Sequence, residues 1–174
     1  MVLLALWLSG QSVGLIASQC PNIRWHFIGH LQSNKVNKVL GVPNLNCIET
    51  IHDEKLATLV NNAWLRAHPD GKTKLKVFVQ INTSGEENKN GVPSDAAEGL
   101  VGHVINSCPN LEFVGLMTIG KYGYDMSQGP NPDFQELSQM PSGHLQEAQS
   151  RSNQSRTIDG HVHRLRACYR GGIN

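Results

Sequence analysis

The chain has 174 residues, of which 39% are hydrophobic and 17% are charged, so it can build one domain with a core and is not disordered by composition. Its formal net charge is +1, without a basic block or an acidic run, which removes the electrostatic reason to propose a nucleic acid or an anionic membrane as a partner. The four cysteines form no C-x-x-C pair, so we expect reduced thiols and no metal site.

Residues 1–19 open with the apolar run MVLLALWLS, which resembles the core of a signal peptide. No Lys or Arg precedes this run and no convincing cleavage site follows it. The run is also far shorter than the roughly 20 residues that a helix needs to cross a bilayer. We therefore interpret residues 1–19 as an unrelated apolar start, and we expect a cytoplasmic protein, with mitochondria as a second compartment.

Two strand–helix units follow. Residues 24–29 (RWHFIG) are aromatic and β-branched, which predicts a strand, and residues 32–40 then place apolar side chains at helical spacing. Residues 46–51 predict a second strand. Residues 53–67 predict an amphipathic helix with Asp53 as its N-cap.

The next two units repeat this order. Residues 75–83 (LKVFVQINT) and 111–119 (LEFVGLMTI) predict strands, and between them a helix is predicted from the cap residue Ser94 to residue 107. Strands that alternate with helices favour a parallel sheet covered by helices, hence an α/β fold. A closed (β/α)8 barrel needs eight such units, so the pattern leaves open a small open sheet or part of a barrel.

The chain changes character near residue 136. Residues 137–174 are rich in Ser, Gln, Arg, His and Gly, with few aliphatic residues and no clear period. This composition predicts a disordered polar tail.

Three colinear segments resemble one family, the pyridoxal phosphate homeostasis proteins. They are residues 25–39 (WHFIGHLQSNKVNKV), 79–91 (VQINTSGEENKNG) and 111–134 (LEFVGLMTIGKYGYDMSQGPNPDF). The resemblance implies a TIM-like barrel similar to the N-terminal domain of alanine racemase. It further implies pyridoxal 5′-phosphate as a cofactor held by a lysine Schiff base, a role in vitamin B6 homeostasis without catalysis, and a monomer.

The family motifs that hold the cofactor have no counterpart in this sequence. The lysine motif A-V-S-K-T-K-P and the following G-E-N-Y are missing, as are the late phosphate-binding motifs S-M-G-M-S and R-x-G-x-x-x-F-G. We therefore expect weak or no cofactor binding. A reading frame shifted by one base under residues 159–174 permits M-G-M-S-T-D-F-E-H-A-I-E-V-G-S. Our hypothesis is that residues 137–174 are out-of-frame sequence, from a splice variant or a gene-model error.

Four residues are candidates for the cofactor pocket, because the resemblance and the ends of the strands place them there: His26, Gly29, Asn82 and Met117. Each has a simpler interpretation. His26 and Met117 can be packed core residues, Gly29 an ordinary strand-end glycine, and Asn82 part of a polar network. We expect no catalytic residue, and none of the lysines lies in an apolar strand pattern that would lower its pKa for a Schiff base.

The sequence thus predicts a partial TIM-like (β/α)8 barrel over residues 20–136, between two non-native ends. Parallel strands left at an open edge favour self-association of the chain. Two alternatives stay open. One is a fragment of a pyridoxal phosphate-dependent racemase or decarboxylase, which needs a cofactor lysine and a second acid–base residue. The other is a fragment that pairs with the full-length protein.

Overall fold

A six-stranded parallel sheet forms the centre of the computed structural model, which describes residues 2–5, 22–86, 89–119, 124–125, 127, 129–139 and 166–167. The strands are β1 (Val2–Ala5), β2 (Arg24–Phe27), β3 (Leu45–Ile51), β4 (Leu75–Ile81), β5 (Leu111–Thr118) and β6 (Arg166–Ala167). The helices are α1 (Val36–Leu40), α2 (Glu54–Ala67), α3 (Ala97–Ser107) and α4 (Pro132–Gln139), with 3-10 turns at Ser33–Lys35 and Ser94–Ala96. The strands lie in chain order and each neighbouring pair is parallel, which confirms the predicted α/β class.

The main core lies between the sheet and the helices. Along β4 the odd-numbered residues, Val77 and Val79 among them, pack on this side together with Val60 of α2 and Val104 of α3. This alternation is the two-residue period of a strand, and it leaves Phe78 on the opposite side of the sheet. Each fully buried aliphatic side chain contributes about 1.5–3 kcal/mol, so this layer holds the helices against β3, β4 and β5.

The two predicted helix caps differ in outcome. Asp53 caps α2 as predicted, since its Oδ1 accepts a hydrogen bond of 2.6 Å from the backbone N–H of Leu56. The prediction for Ser94 is wrong. This residue begins a 3-10 turn in which no side chain makes a capping hydrogen bond, and its hydroxyl donates instead to Oε1 of Glu136 in α4. Ser94 therefore links two helices rather than starting one.

Both segments that lie outside the predicted barrel contribute a short strand to the sheet. Val2–Ala5, within the predicted apolar start, forms β1 and pairs in parallel with β2. The predicted limit at residue 136 falls inside α4. The next residue, Leu137, is buried in the main core. Within the predicted tail the structure describes the end of α4 and the short strand β6. β6 pairs with Met117 and Thr118 of β5. The rest of the predicted tail lies outside the described residues.

Within the described parts of the chain, none of the helices combines the length and apolar character needed to cross a bilayer.

Candidate functional site

The side of the sheet that faces away from the helices carries the candidate site. Cys47 of β3, Phe78 of β4 and Met117 of β5 form a buried cluster there, separate from the main core. His26 of β2 and Glu49 of β3 adjoin Cys47. We call this side the inner face and define it by these five residues.

A hydrogen-bonded chain crosses the inner face between β2 and β3. Nδ1 of His26 donates to Oε1 of Glu49 at 2.6 Å, and Nδ2 of Asn46 donates to Nε2 of His26 at 2.9 Å. In this orientation of the Asn46 amide, one ring nitrogen of His26 donates and the other accepts. His26 is 6% exposed and Glu49 is 1% exposed, so the pair is shielded from water and short hydrogen bonds are strong here.

Cys47 lies where the polar pair meets the apolar cluster. The Sγ of Cys47, a ring nitrogen of His26 and a carboxylate oxygen of Glu49 all lie within 4.8 Å of one another. The same cysteine packs against Phe78 and Met117. The inner face is therefore one continuous surface with a polar half and an apolar half.

Met117, a predicted pocket residue, is fully buried in the apolar half. Its neighbour Thr118 donates a hydrogen bond of 3.0 Å to the carbonyl of Ile81, which fixes the end of β5 against β4. These contacts match the simpler interpretation of Met117 as core packing. A thioether also packs well against an aromatic ring, so the predicted cofactor role of Met117 stays a prediction.

Asn82 organises the loop after β4. Its Nδ2 donates to the carbonyls of Glu86 and Lys89, at 3.0 and 3.3 Å, and its Oδ1 accepts from the hydroxyl of Ser84. These contacts match the alternative of a polar network. They leave the predicted cofactor contact of Asn82 without support from the geometry.

The same loop returns to the sheet through backbone atoms. The N–H of Asn82 donates to the carbonyl of Val92 at 2.9 Å, and the N–H of Val92 donates to the carbonyl of Gln80 at 2.8 Å. Gly91 permits this approach: it has φ 140°, and a Cβ built on it would lie 2.7 Å from the backbone nitrogen of Asn82. The loop is thus closed at its base by main-chain hydrogen bonds.

Gly29, the fourth predicted residue, follows the end of β2 and has φ 119°. This conformation favours glycine because other residues clash there. The turn that it makes is followed by His30, whose ring centroid lies 5.1 Å from that of His52 after β3. The geometry explains the glycine without a ligand.

Asn46, Cys47 and Glu49 were not among the residues predicted from sequence. In residues 45–51 (LNCIETI) only Cys47 and Glu49 stand two apart, which puts them on one face of a strand. The aliphatic residues recur every third position, so the segment lacks the alternation that marks a strand with two different faces. The partner on β2 is 23 residues away from Glu49 in sequence, so only the fold reveals that the two side chains meet.

Comparisons with known proteins identify the family of the chain. Residues 18–157 match the family described as "Alanine racemase, N-terminal domain". The chain is 58% identical over 122 residues to the human pyridoxal phosphate homeostasis protein. This alignment covers 70% of this chain and 44% of the human protein. It is 44% identical over 123 residues to the Caenorhabditis elegans protein of the same name, covering 71% of this chain and 50% of the other.

Solved structures support the fold. PipY of Synechococcus elongatus with PLP bound aligns with a TM-score of 0.63 and 17% identity, over 81% of this chain and 63% of PipY. An alanine racemase from Clostridium difficile aligns with a TM-score of 0.54 and 12% identity, over 88% of this chain and 36% of the other. The predicted partial alanine racemase-like barrel is therefore confirmed. The chain spans about half the length of the curated relatives that it matches.

Proposed function

The chain belongs to the alanine racemase N-terminal domain family, and on that premise we propose that it is a pyridoxal phosphate homeostasis-type protein without catalytic activity. We further propose that it holds pyridoxal 5′-phosphate weakly. The observation that carries the first part is the 58% identity to a protein named for pyridoxal phosphate homeostasis. The second part depends on which portions of the cofactor the inner face can accommodate.

The inner face suits the pyridine ring of the cofactor. Phe78 and Met117 supply apolar side chains that are 6% and 0% exposed, so the ring can reach them only after a local opening of this face. Pockets for small molecules are mostly apolar with a few placed polar groups. His26 and Glu49 supply such polar groups at the border of these apolar side chains. The ring and its polar substituents are therefore the part of the cofactor that these residues would contact.

None of the described lysines is buried in the way that a bond to the aldehyde requires. A lysine that bonds an aldehyde must be desolvated or near other positive charge, which lowers its pKa. Every lysine that the structure describes is exposed or only half-buried: Lys35, Lys38, Lys55, Lys72, Lys74, Lys76 and Lys89. Lys89 pairs with Glu86 at 3.3 Å.

A titration of the full chain with pyridoxal 5′-phosphate tests the proposal. We expect weak, reversible binding, no absorbance change of the kind that a lysine imine gives, and no added mass after borohydride treatment. Replacement of Met117 by Ala should weaken the residual binding, whereas replacement of the exposed Leu65 on α2 by Ala should leave it unchanged. A stable borohydride adduct on one lysine would contradict the proposal of weak binding.

A second assay addresses catalysis. With cofactor present, we expect no interconversion of L- and D-alanine above the rate of free pyridoxal phosphate. The inner face pairs a histidine with a carboxylate, but a racemase also needs a covalently held cofactor beside its acid and base. Turnover that is lost on mutation of His26 would show that the chain is an enzyme.

A further inference from the structure

His26, Cys47 and Glu49 combine three kinds of metal ligand in one buried cluster. Two adjacent parallel strands supply them, with His26 opposite Cys47 just after a register shift between Trp25 and His26. We infer that this cluster is a site for one divalent cation of borderline softness, with Zn²⁺ as the best match, bound by Nδ1 of His26, Sγ of Cys47 and a carboxylate oxygen of Glu49. The site shares His26 and Glu49 with the cofactor contact proposed above, so a bound ion and the pyridine ring would compete for these two side chains.

The distances suit a tetrahedral ion after small movements. Zinc binds imidazole nitrogen and carboxylate oxygen at about 2.0–2.2 Å and thiolate sulfur at about 2.3 Å. Tetrahedral angles then separate the nitrogen and oxygen by about 3.4 Å and the nitrogen and sulfur by about 3.6 Å. The present nitrogen–oxygen distance is 2.6 Å and all three ligand atoms lie within 4.8 Å of one another, so the ion would occupy the place of the shared proton.

The protons can be accounted for. Binding at Nδ1 of His26 moves the ring proton to Nε2, so the imidazole stays neutral. Asn46 already contacts Nε2, and a half-turn of its amide presents Oδ1 as the acceptor for that proton. The thiol of Cys47 releases its proton to solvent, because the thiolate is the form that binds metal. One proton therefore leaves for each ion bound.

The identity of the ion follows from the donor set. Thiolate disfavours Mg²⁺ and Ca²⁺, which take oxygen ligands, whereas mixed nitrogen, sulfur and oxygen donors suit Zn²⁺. Three protein ligands leave a fourth position for water or a small ligand. An acceptor at the far ring nitrogen is the usual support for a histidine that binds zinc, and Asn46 is placed to provide it.

Cobalt(II) titration of the reduced full chain tests the inference, since Co²⁺ in a tetrahedral thiolate site absorbs visibly and Zn²⁺ displaces it. We expect one saturable equivalent with a sulfur-to-cobalt charge-transfer band. Cys47→Ser should abolish that band and weaken binding at least tenfold, and Glu49→Gln should weaken binding at least tenfold. Cys108→Ser is the matched control, because Cys108 is equally buried but lies in the main core, and it should bind like the wild type.

Two results would overturn the inference. One is the absence of saturable binding in the wild type, and the other is an unchanged band in Cys47→Ser. A measurement without variants covers the case in which Cys47→Ser does not fold. X-ray absorption at the zinc edge of the wild-type complex should then show one sulfur at about 2.3 Å and lighter ligands at about 2.0–2.2 Å. A first shell of nitrogen and oxygen alone would refute the site.

Discussion

The ring of His26 donates from Nδ1 to Oε1 of Glu49 across the boundary between β2 and β3, over 2.6 Å and almost out of contact with water. Asn46 completes the chain from the other side of the ring. Breaking such a pair costs free energy, because each group lost its hydration when the sheet formed. The pair therefore makes the relative positions of β2 and β3 depend on one hydrogen bond as well as on apolar packing.

Substitution of Glu49 should reveal that dependence. Glu49→Leu removes the acceptor and leaves the Nδ1 proton of His26 buried without this partner, which should cost about 1.5–3 kcal/mol of the free energy of unfolding. Glu49→Gln keeps an oxygen that can accept the same proton and should cost less than half as much. Urea denaturation of the two variants and the wild type provides the comparison. Equal losses for Gln and Leu would mean that the hydrogen bond is not what matters.

Gly91 and Gly99 should respond to alanine with opposite signs. Gly91→Ala places a Cβ at φ 140° and 2.7 Å from a backbone nitrogen, so the strain alone should destabilise the fold by about 1–3 kcal/mol. Gly99 lies in α3 with open space around it, and alanine there should stabilise by about 0.5–1 kcal/mol. Thermal unfolding followed by circular dichroism measures both. A neutral Gly91→Ala would show that the loop base can open without cost.

Cys108 should make stability depend on pH in the alkaline range. Burial raises the pKa of its thiol above the ordinary value, and a hydrogen bond with Thr58 opposes part of that shift. The folded chain then keeps the proton to higher pH than the unfolded chain does. This contribution is complete below the unfolded pKa of about 8.5 and is lost as the pH rises through the folded pKa.

The free energy of unfolding, measured from about pH 7 to about pH 10, should therefore fall more steeply for the wild type than for Cys108→Ala. The alanine variant also loses packing, so only the difference in slope is informative. Cys47 is present in both chains and cancels. Parallel curves would contradict the predicted link between burial of Cys108 and pH.

Self-association is the expected behaviour of an open sheet. Among the described residues the sheet runs from β1 to β6 without closing, and strand edges can pair with another chain. Light scattering after gel filtration should give a mass that rises above 19.1 kDa with concentration. The thermal midpoint should rise in parallel, because association stabilises the folded state. A monomer at every concentration with a sharp, concentration-independent transition would contradict this.

Much of the fold could be predicted from sequence, because the alternation of β-branched runs with amphipathic stretches is a local signal. The four central strands were predicted to within two residues at each end. β1 was not predicted because an apolar run of that length also resembles a signal peptide. β6 was not predicted because two residues are too few to show the alternation of a strand. The prediction that Ser94 caps a helix was wrong because its hydroxyl donates to Glu136, 42 residues away. A local sequence pattern cannot indicate a contact of that range.

The candidate site was less accessible to sequence. The predicted residues His26 and Met117 do lie on the inner face, but the residue that joins them, Cys47, was not selected. The expectation of no metal site rested on cysteine spacing along the chain and stays a prediction. Sequence spacing does not show which side chains two strands bring together, because this depends on register: His26 pairs with Cys47 across β2 and β3. Register depends on the whole sheet rather than on any motif.

The loop after β4 is closed at its base by the backbone of Gln80, Asn82 and Val92, atoms that nearly every amino acid possesses. Among its described residues Gly91 must remain small, and Gly85, at φ 64°, favours glycine. The side chains between these points can therefore be exchanged while the loop still returns to the same place on the sheet. Grafting new sequences between Asn82 and Gly91 would give a library of variants that differ above the strand ends but share one scaffold.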